Sequence, residues 1–67
     1  MSYSAKTLIK ILEQHGYLLK RIKGSHHLFE HPETKKVVVV PFHGNKDLPI
    51  GTYKAILKQA GIDSKNQ

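Results

Sequence analysis

The sequence predicts an α+β fold in the order α-β-β-β-α: a three-stranded antiparallel sheet with two helices on one face. Three observations carry this. Apolar residues recur at helical spacing in two stretches, one near each end of the chain. Between them lie three short runs rich in β-favouring residues, divided by Gly24-Ser25 and by a turn around Pro32. Two amphipathic stripes need an apolar surface to bury against, and one face of a single sheet is the simplest that serves both.

The first helix is expected from about residue 5 to 15. Ser4 can cap it by accepting from the amides of the first turn. Ala5, Leu8, Ile9 and Leu12 follow the i, i+3, i+4, i+7 pattern, and Ile11 widens the stripe. Lys6, Lys10, Glu13 and Gln14 take the outer side, and Gly16 suits a left-handed stop with His15 in the last turn. Tyr17 to Lys23 reads as a strand, which Gly24-Ser25 breaks by a bulge or tight turn.

The second strand runs from His26 to about His31. Alternation places His27, Phe29 and His31 on one face and His26, Leu28 and Glu30 on the other. Phe29, the largest apolar group here, should face the core, which leaves His26 on the open face. His31-Pro32-Glu33-Thr34-Lys35 is a turn. Lys36 to Pro41 is the third strand, and its four valines imply cover on more than one side or a face left for a partner. Residues 42–47 form a loop, and Pro49 suits the first turn of a second helix. Its stripe is Tyr53, Ile56, Leu57 and Ala60, with Lys54 and Lys58 outside. Gly61 closes it, Ile62 can dock back, and residues 63–67 are expected to fray.

At 67 residues the chain is expected to be a single domain, 1–67, with an ordered core from about 4 to 62. Such a chain buries only about 60% of its unfolded surface, so its stability margin is small. It has no cysteine, which removes disulfides and thiolate chemistry. No apolar run approaches a membrane span. Met1-Ser2-Tyr3-Ser4-Ala5 lacks the charged-then-apolar pattern of a secretory signal, so a cytoplasmic location is expected. Eleven Lys and Arg against five Asp and Glu give a formal charge of +6, which attracts polyanions, nucleic acid first among them.

Five histidines are the candidates for chemistry. His15 and His31 read as surface or helix-end residues. His26 and His27 follow a Gly-Ser corner beside Arg21 and Lys23. His43 lies in the loop after the third strand, and the strand register decides whether that loop approaches the corner. No metal site is expected, because adjacent His26 and His27 point to opposite faces and the histidine spacing matches no ligand pattern. A Ser-His-Asp arrangement would need an acid near Ser25, and neither Asp47 nor Asp63 has a visible relation to it. General acid–base cleavage of RNA needs least. RNA carries its own nucleophile in the 2′-hydroxyl, and one imidazole in a basic field supplies much of the rest without a cofactor.

The run Arg21-Ile22-Lys23-Gly24-Ser25-His26-His27-Leu28-Phe29-Glu30-His31-Pro32 resembles the signature of HicA toxins, the mRNA interferases of toxin–antitoxin pairs. The resemblance continues through Val40-Pro41-Phe42-His43, Lys46-Asp47-Leu48-Pro49-Ile50-Gly51-Thr52 and Ile56-Leu57-Lys58-Gln59-Ala60-Gly61-Ile62, so it spans about Lys6 to Ile62. It implies a fold like the double-stranded-RNA-binding domain. It also implies ribosome-independent cleavage of mRNA and neutralisation by a HicB antitoxin that covers the active site. The family's catalytic histidine falls on His26, and the family glycine on Gly24.

The expected function is therefore a metal-independent endoribonuclease with His26 as general acid or base. Lys23, Arg21, Gly24 and Ser25 would contact RNA, and His27 and His43 are accessory candidates for the second proton transfer. Lys20 and Lys23 are not expected to share one face with everything that RNA would touch. The alternative is a non-catalytic module that binds double-stranded RNA by shape.

Overall fold

The computed structural model describes residues 3–44 and 46–62; the expected frayed tail, 63–67, lies outside the described residues. The element order is α1 (Ala5–Gln14), β1 (Leu18–Lys23), β2 (His26–Glu30), β3 (Val37–Pro41) and α2 (Ile50–Gln59), the α-β-β-β-α order expected.

Both helices end in the same way. Ser4 starts α1 by accepting from the Thr7 amide at 3.1 Å. At the other end Gly16 takes φ +92°, so the Gly16 amide reaches the Glu13 carbonyl and the Tyr17 amide reaches Leu12. At the end of α2, Gly61 takes φ +76°, with the Gly61 amide on Lys58 and the Ile62 amide on Leu57. These paired bonds define a Schellman motif, in which a left-handed residue satisfies the last carbonyls and turns the next apolar residue back onto the helix. Tyr17 and Ile62, the residues turned back, are both buried. Pro49 stands just before α2 as its cap rather than inside its first turn.

The sheet order is β1-β2-β3, antiparallel throughout. Gly24 and Ser25 form the two-residue connection between paired Lys23 and His26. Gly24 has φ +59° while Ser25 does not enter the left-handed region, the pattern of a type II′ hairpin turn. A Cβ on Gly24 would meet nothing within 4 Å, so backbone conformation alone favours glycine there.

The core lies between one sheet face and the helices. Phe29, Val38 and Val40 point inward against Leu8, Leu12, Tyr53, Ile56 and Leu57. Each large side chain fully buried there stabilises the fold by about 1.5–3 kcal/mol relative to exposure. Val37 and Val39 remain 41% exposed, so the valine strand leaves its second face uncovered. Both helices pack against β3 and against each other, whereas every residue of β1 is exposed. Leu19 and Ile22 stay 47% and 55% exposed although they share the helix side with Phe29 and His27. Among the described residues, no helix is long and apolar enough to cross a membrane.

Candidate active site at the sheet corner

The position of the basic residues depends on one irregularity. Leu18 pairs with Glu30 and Leu19 with Phe29, but Arg21 rather than Lys20 pairs with Leu28. Lys20 is the extra residue of a β-bulge. Strict alternation from Leu18 would send Arg21 and Lys23 to the helix side, and the inserted residue reverses both. Arg21 then lies opposite Leu28, and Lys23 opposite His26, on the open face. Lys20 reaches that face too, because its ammonium is 2.9 Å from Glu30 Oε1. The expectation that Lys20 and Lys23 do not share one surface is thus corrected. It assumed a regular strand, and the bulge removes that assumption.

His26 is exposed on this face, as the inward orientation of Phe29 requires. Its cross-strand neighbours are Lys23 on β1 and Pro41 on β3, with strands about 5 Å apart. The next row is Arg21, Leu28 and Val39, and the third is Leu18, Glu30 and Val37. The face is therefore cationic at the corner and apolar away from it. Hydrogen bonding from Lys20 holds the Glu30 carboxyl below its ordinary range, so Lys20 is already engaged. Arg21 and Lys23 form no ion pair among the described residues, which leaves their charge available to an anion beside His26.

The strand register also resolves the position of His43. His26 pairs with Pro41, and the Phe42 amide donates to the Ser25 carbonyl at 2.6 Å. The loop carrying His43 therefore leaves β3 beside the Gly24-Ser25 corner, with His43 exposed. His27 goes elsewhere. It pairs with Val40 on the helix side, and its ring lies against Phe42 with centroids 4.9 Å apart. Its Nδ1 is buried without a hydrogen-bond partner. The structure thus brings His26, Lys23, Arg21, Gly24, Ser25 and the His43 loop to one corner, and separates His27 from them by the thickness of the sheet. Among the described residues, no group of three or more His, Cys, Asp or Glu is placed to hold a metal ion.

One grouping was missed in the sequence. His15 and His31 line a common cleft with Tyr17, Thr34 and Lys36 at the opposite end of the sheet. Their separation in sequence gives no signal of this, although His31 shares the alternation of Phe29 and so the helix side.

An α-β-β-β-α domain with two helices behind its sheet and a basic, open front corner has the architecture of the double-stranded-RNA-binding-domain-like fold. Residues 5–62 match the family model described as the HicA toxin of bacterial toxin-antitoxin. The chain belongs to that toxin family, and membership implies a cognate antitoxin. A search of curated proteins gives no significant match.

Proposed function

We propose that the chain is a metal-independent, ribosome-independent endoribonuclease that cleaves mRNA, with His26 as its general acid or base. The observation that carries this reading is the open-face position of His26 next to Lys23 and diagonal to Arg21. In the reaction, a base takes the proton of a 2′-hydroxyl and the ribose oxygen attacks the adjacent phosphorus. The bond to the 5′-oxygen breaks, and an acid returns a proton to that leaving oxygen. The products are a 2′,3′-cyclic phosphate and a 5′-hydroxyl, so no water or cofactor is consumed. His26 performs one proton transfer, and His43, whose loop borders the corner, is the candidate for the other. Lys23 and Arg21 hold the phosphate and offset the charge that grows on it in the transition state. The Gly24-Ser25 turn leaves open space through which the strand approaches.

The same face accounts for the antitoxin. Leu18, Val37 and Val39 are exposed beside the cationic corner, and a HicB-type partner with an apolar patch and acidic rim would cover both together. Cleavage of mRNA would place its action in the cytoplasm.

The test is incubation of purified protein with a long RNA in EDTA, alongside His26→Ala. The expected result is cleavage by the parent, products ending in cyclic phosphate, and loss of cleavage in a folded His26→Ala variant. If that variant folds and cleaves like the parent, the assignment fails. If neither protein cleaves but both bind duplex RNA with the same affinity, the protein is a non-catalytic binding module.

A further inference from the structure

At the far end of β2, about 17 Å along the strand from His26, a cleft of about 230 Å³ opens between the ends of α1 and α2 and the β2–β3 turn. Its polar lining is His15, His31, Thr34 and Lys36, with Tyr17 and Ile62 among its buried walls. Among the described residues, no carboxylate lines it. It sits on the helix side, away from the RNA-facing surface.

The hydrogen bonds fix what each ring offers. His15 Nδ1 lies 2.9 Å from the Ile11 carbonyl oxygen, which can only accept, so this nitrogen carries the proton. His15 Nε2 then has the free lone pair. His31 is the opposite tautomer. Its Nδ1 faces the Glu33 and Thr34 amides at 3.1 and 3.3 Å, which can only donate, so the neutral ring carries its proton on Nε2. That ring is held edge-to-face by Tyr17 at 5.2 Å. A Cβ on Gly16 would stand 2.8 Å from His31 Nε2, so glycine also makes room for it.

Lys36 completes the set. Its ammonium lies over Gly61, where a Cβ would be 3.0 Å away, at the negative end of α2. It has no ion pair among the described residues. The nearby carbonyls of Leu57, Lys58 and Ala60 already accept from Ile62, Gly61 and the Tyr17 hydroxyl. The Thr34 hydroxyl accepts from the Lys36 amide at 3.3 Å and keeps its own proton to donate.

The residues lining the cleft thus carry three donors, the Lys36 ammonium, His31 Nε2–H and the Thr34 hydroxyl, and one acceptor, His15 Nε2. We propose that this cleft binds a phosphate monoester or inorganic phosphate, the acceptor taking the P–OH proton of the singly protonated group. A phosphodiester within a nucleic-acid chain has no such proton and carries a substituent on either side, so it matches the set less well. The site is independent of the corner that carries His26.

The experiment follows the ring signals of His15 and His31 by NMR while inorganic phosphate is added, with chloride of equal ionic strength as control. Parallel titrations use a short DNA oligonucleotide, which lacks the 2′-hydroxyl and resists cleavage, with either a 5′-phosphate or a 5′-hydroxyl. Phosphate should move both rings beyond the chloride effect, Lys36→Met should weaken binding about tenfold through loss of a charge-assisted bond, and Lys36→Arg should retain it. Movement with the 5′-phosphorylated oligonucleotide and not its 5′-hydroxyl form identifies a nucleic-acid end as the source. Movement with inorganic phosphate alone identifies a small free anion. Equal movement with phosphate and chloride, equal affinity in Lys36→Met, or equal movement of both rings with the two oligonucleotides overturns the proposal.

Discussion

The two ends of β2 carry the same residue type in opposite settings. His26 stands on an exposed corner, beside a two-residue turn, with Lys23 opposite. His31 is half-buried, held at Nδ1 by two backbone amides and at its edge by Tyr17. One imidazole is open to solvent, and the other is held by backbone amides within a small cleft. What distinguishes them is the neighbouring structure: a turn and a sheet face at one end, two helix termini at the other.

Substitutions can break this contrast. The largest expected effect is that of His26→Ala, which should lower RNA cleavage about 10²- to 10⁴-fold, the usual contribution of one general acid or base, with an unchanged melting temperature. A His31→Gln variant should cleave at the parental rate per folded molecule. If His31→Gln loses cleavage as His26→Ala does, the two ends are one functional unit and the contrast is false.

The next effect tests the structural end. Tyr17 donates from a buried hydroxyl to the Ala60 carbonyl at 2.8 Å, joining the start of β1 to the end of α2. Tyr17→Phe should cost about 1–2 kcal/mol, read by denaturant unfolding, and leave cleavage per folded molecule unchanged. Burial also raises the Tyr17 and Tyr53 hydroxyls above their ordinary value of 10.0. Above pH 10 the unfolded chain loses these protons before the folded one does. Stability should therefore be full below that pH and fall as pH rises further, more weakly in Tyr17→Phe.

Smaller effects sharpen the corner itself. Lys23→Ala and Arg21→Ala should each reduce the slope of log affinity for RNA against log salt by about one contact, whereas Lys54→Ala, on the outer face of α2, should leave it unchanged. The smallest effect is expected for Lys20→Ala. The Glu30 carboxyl should return toward its ordinary value, visible by NMR, while stability is unchanged within error because the pair is exposed. A larger loss would mean that Lys20 supports the bulge through more than this contact.

Much of this was legible in the sequence because the signals are local. Ser4, Gly16 and Gly61 mark helix ends through caps and left-handed backbone that depend on a few neighbouring residues. Gly24-Ser25 marks the hairpin for the same reason. Phe29 assigned the faces of β2, and that assignment put His26 in the open. The bulge at Lys20 was not legible, because Leu-Leu-Lys-Arg-Ile-Lys satisfies a regular strand equally well. Nor was the partition of the histidines. His27 sits beside His26 in sequence but packs with Phe42 across the sheet, and His15 meets His31 only because α1 and β2 end at the same edge.

The chain's own chemistry therefore determined the order of elements, their ends, the inward face of β2 and membership of the toxin family, all of which follow from short-range patterns or continuous motifs. Tertiary structure decided which cations stand with His26, where the His43 loop lies, and that a second histidine cleft exists. Those depend on strand register and helix docking, in which one residue of slip or one change of packing partner exchanges the faces, and no local pattern encodes that choice.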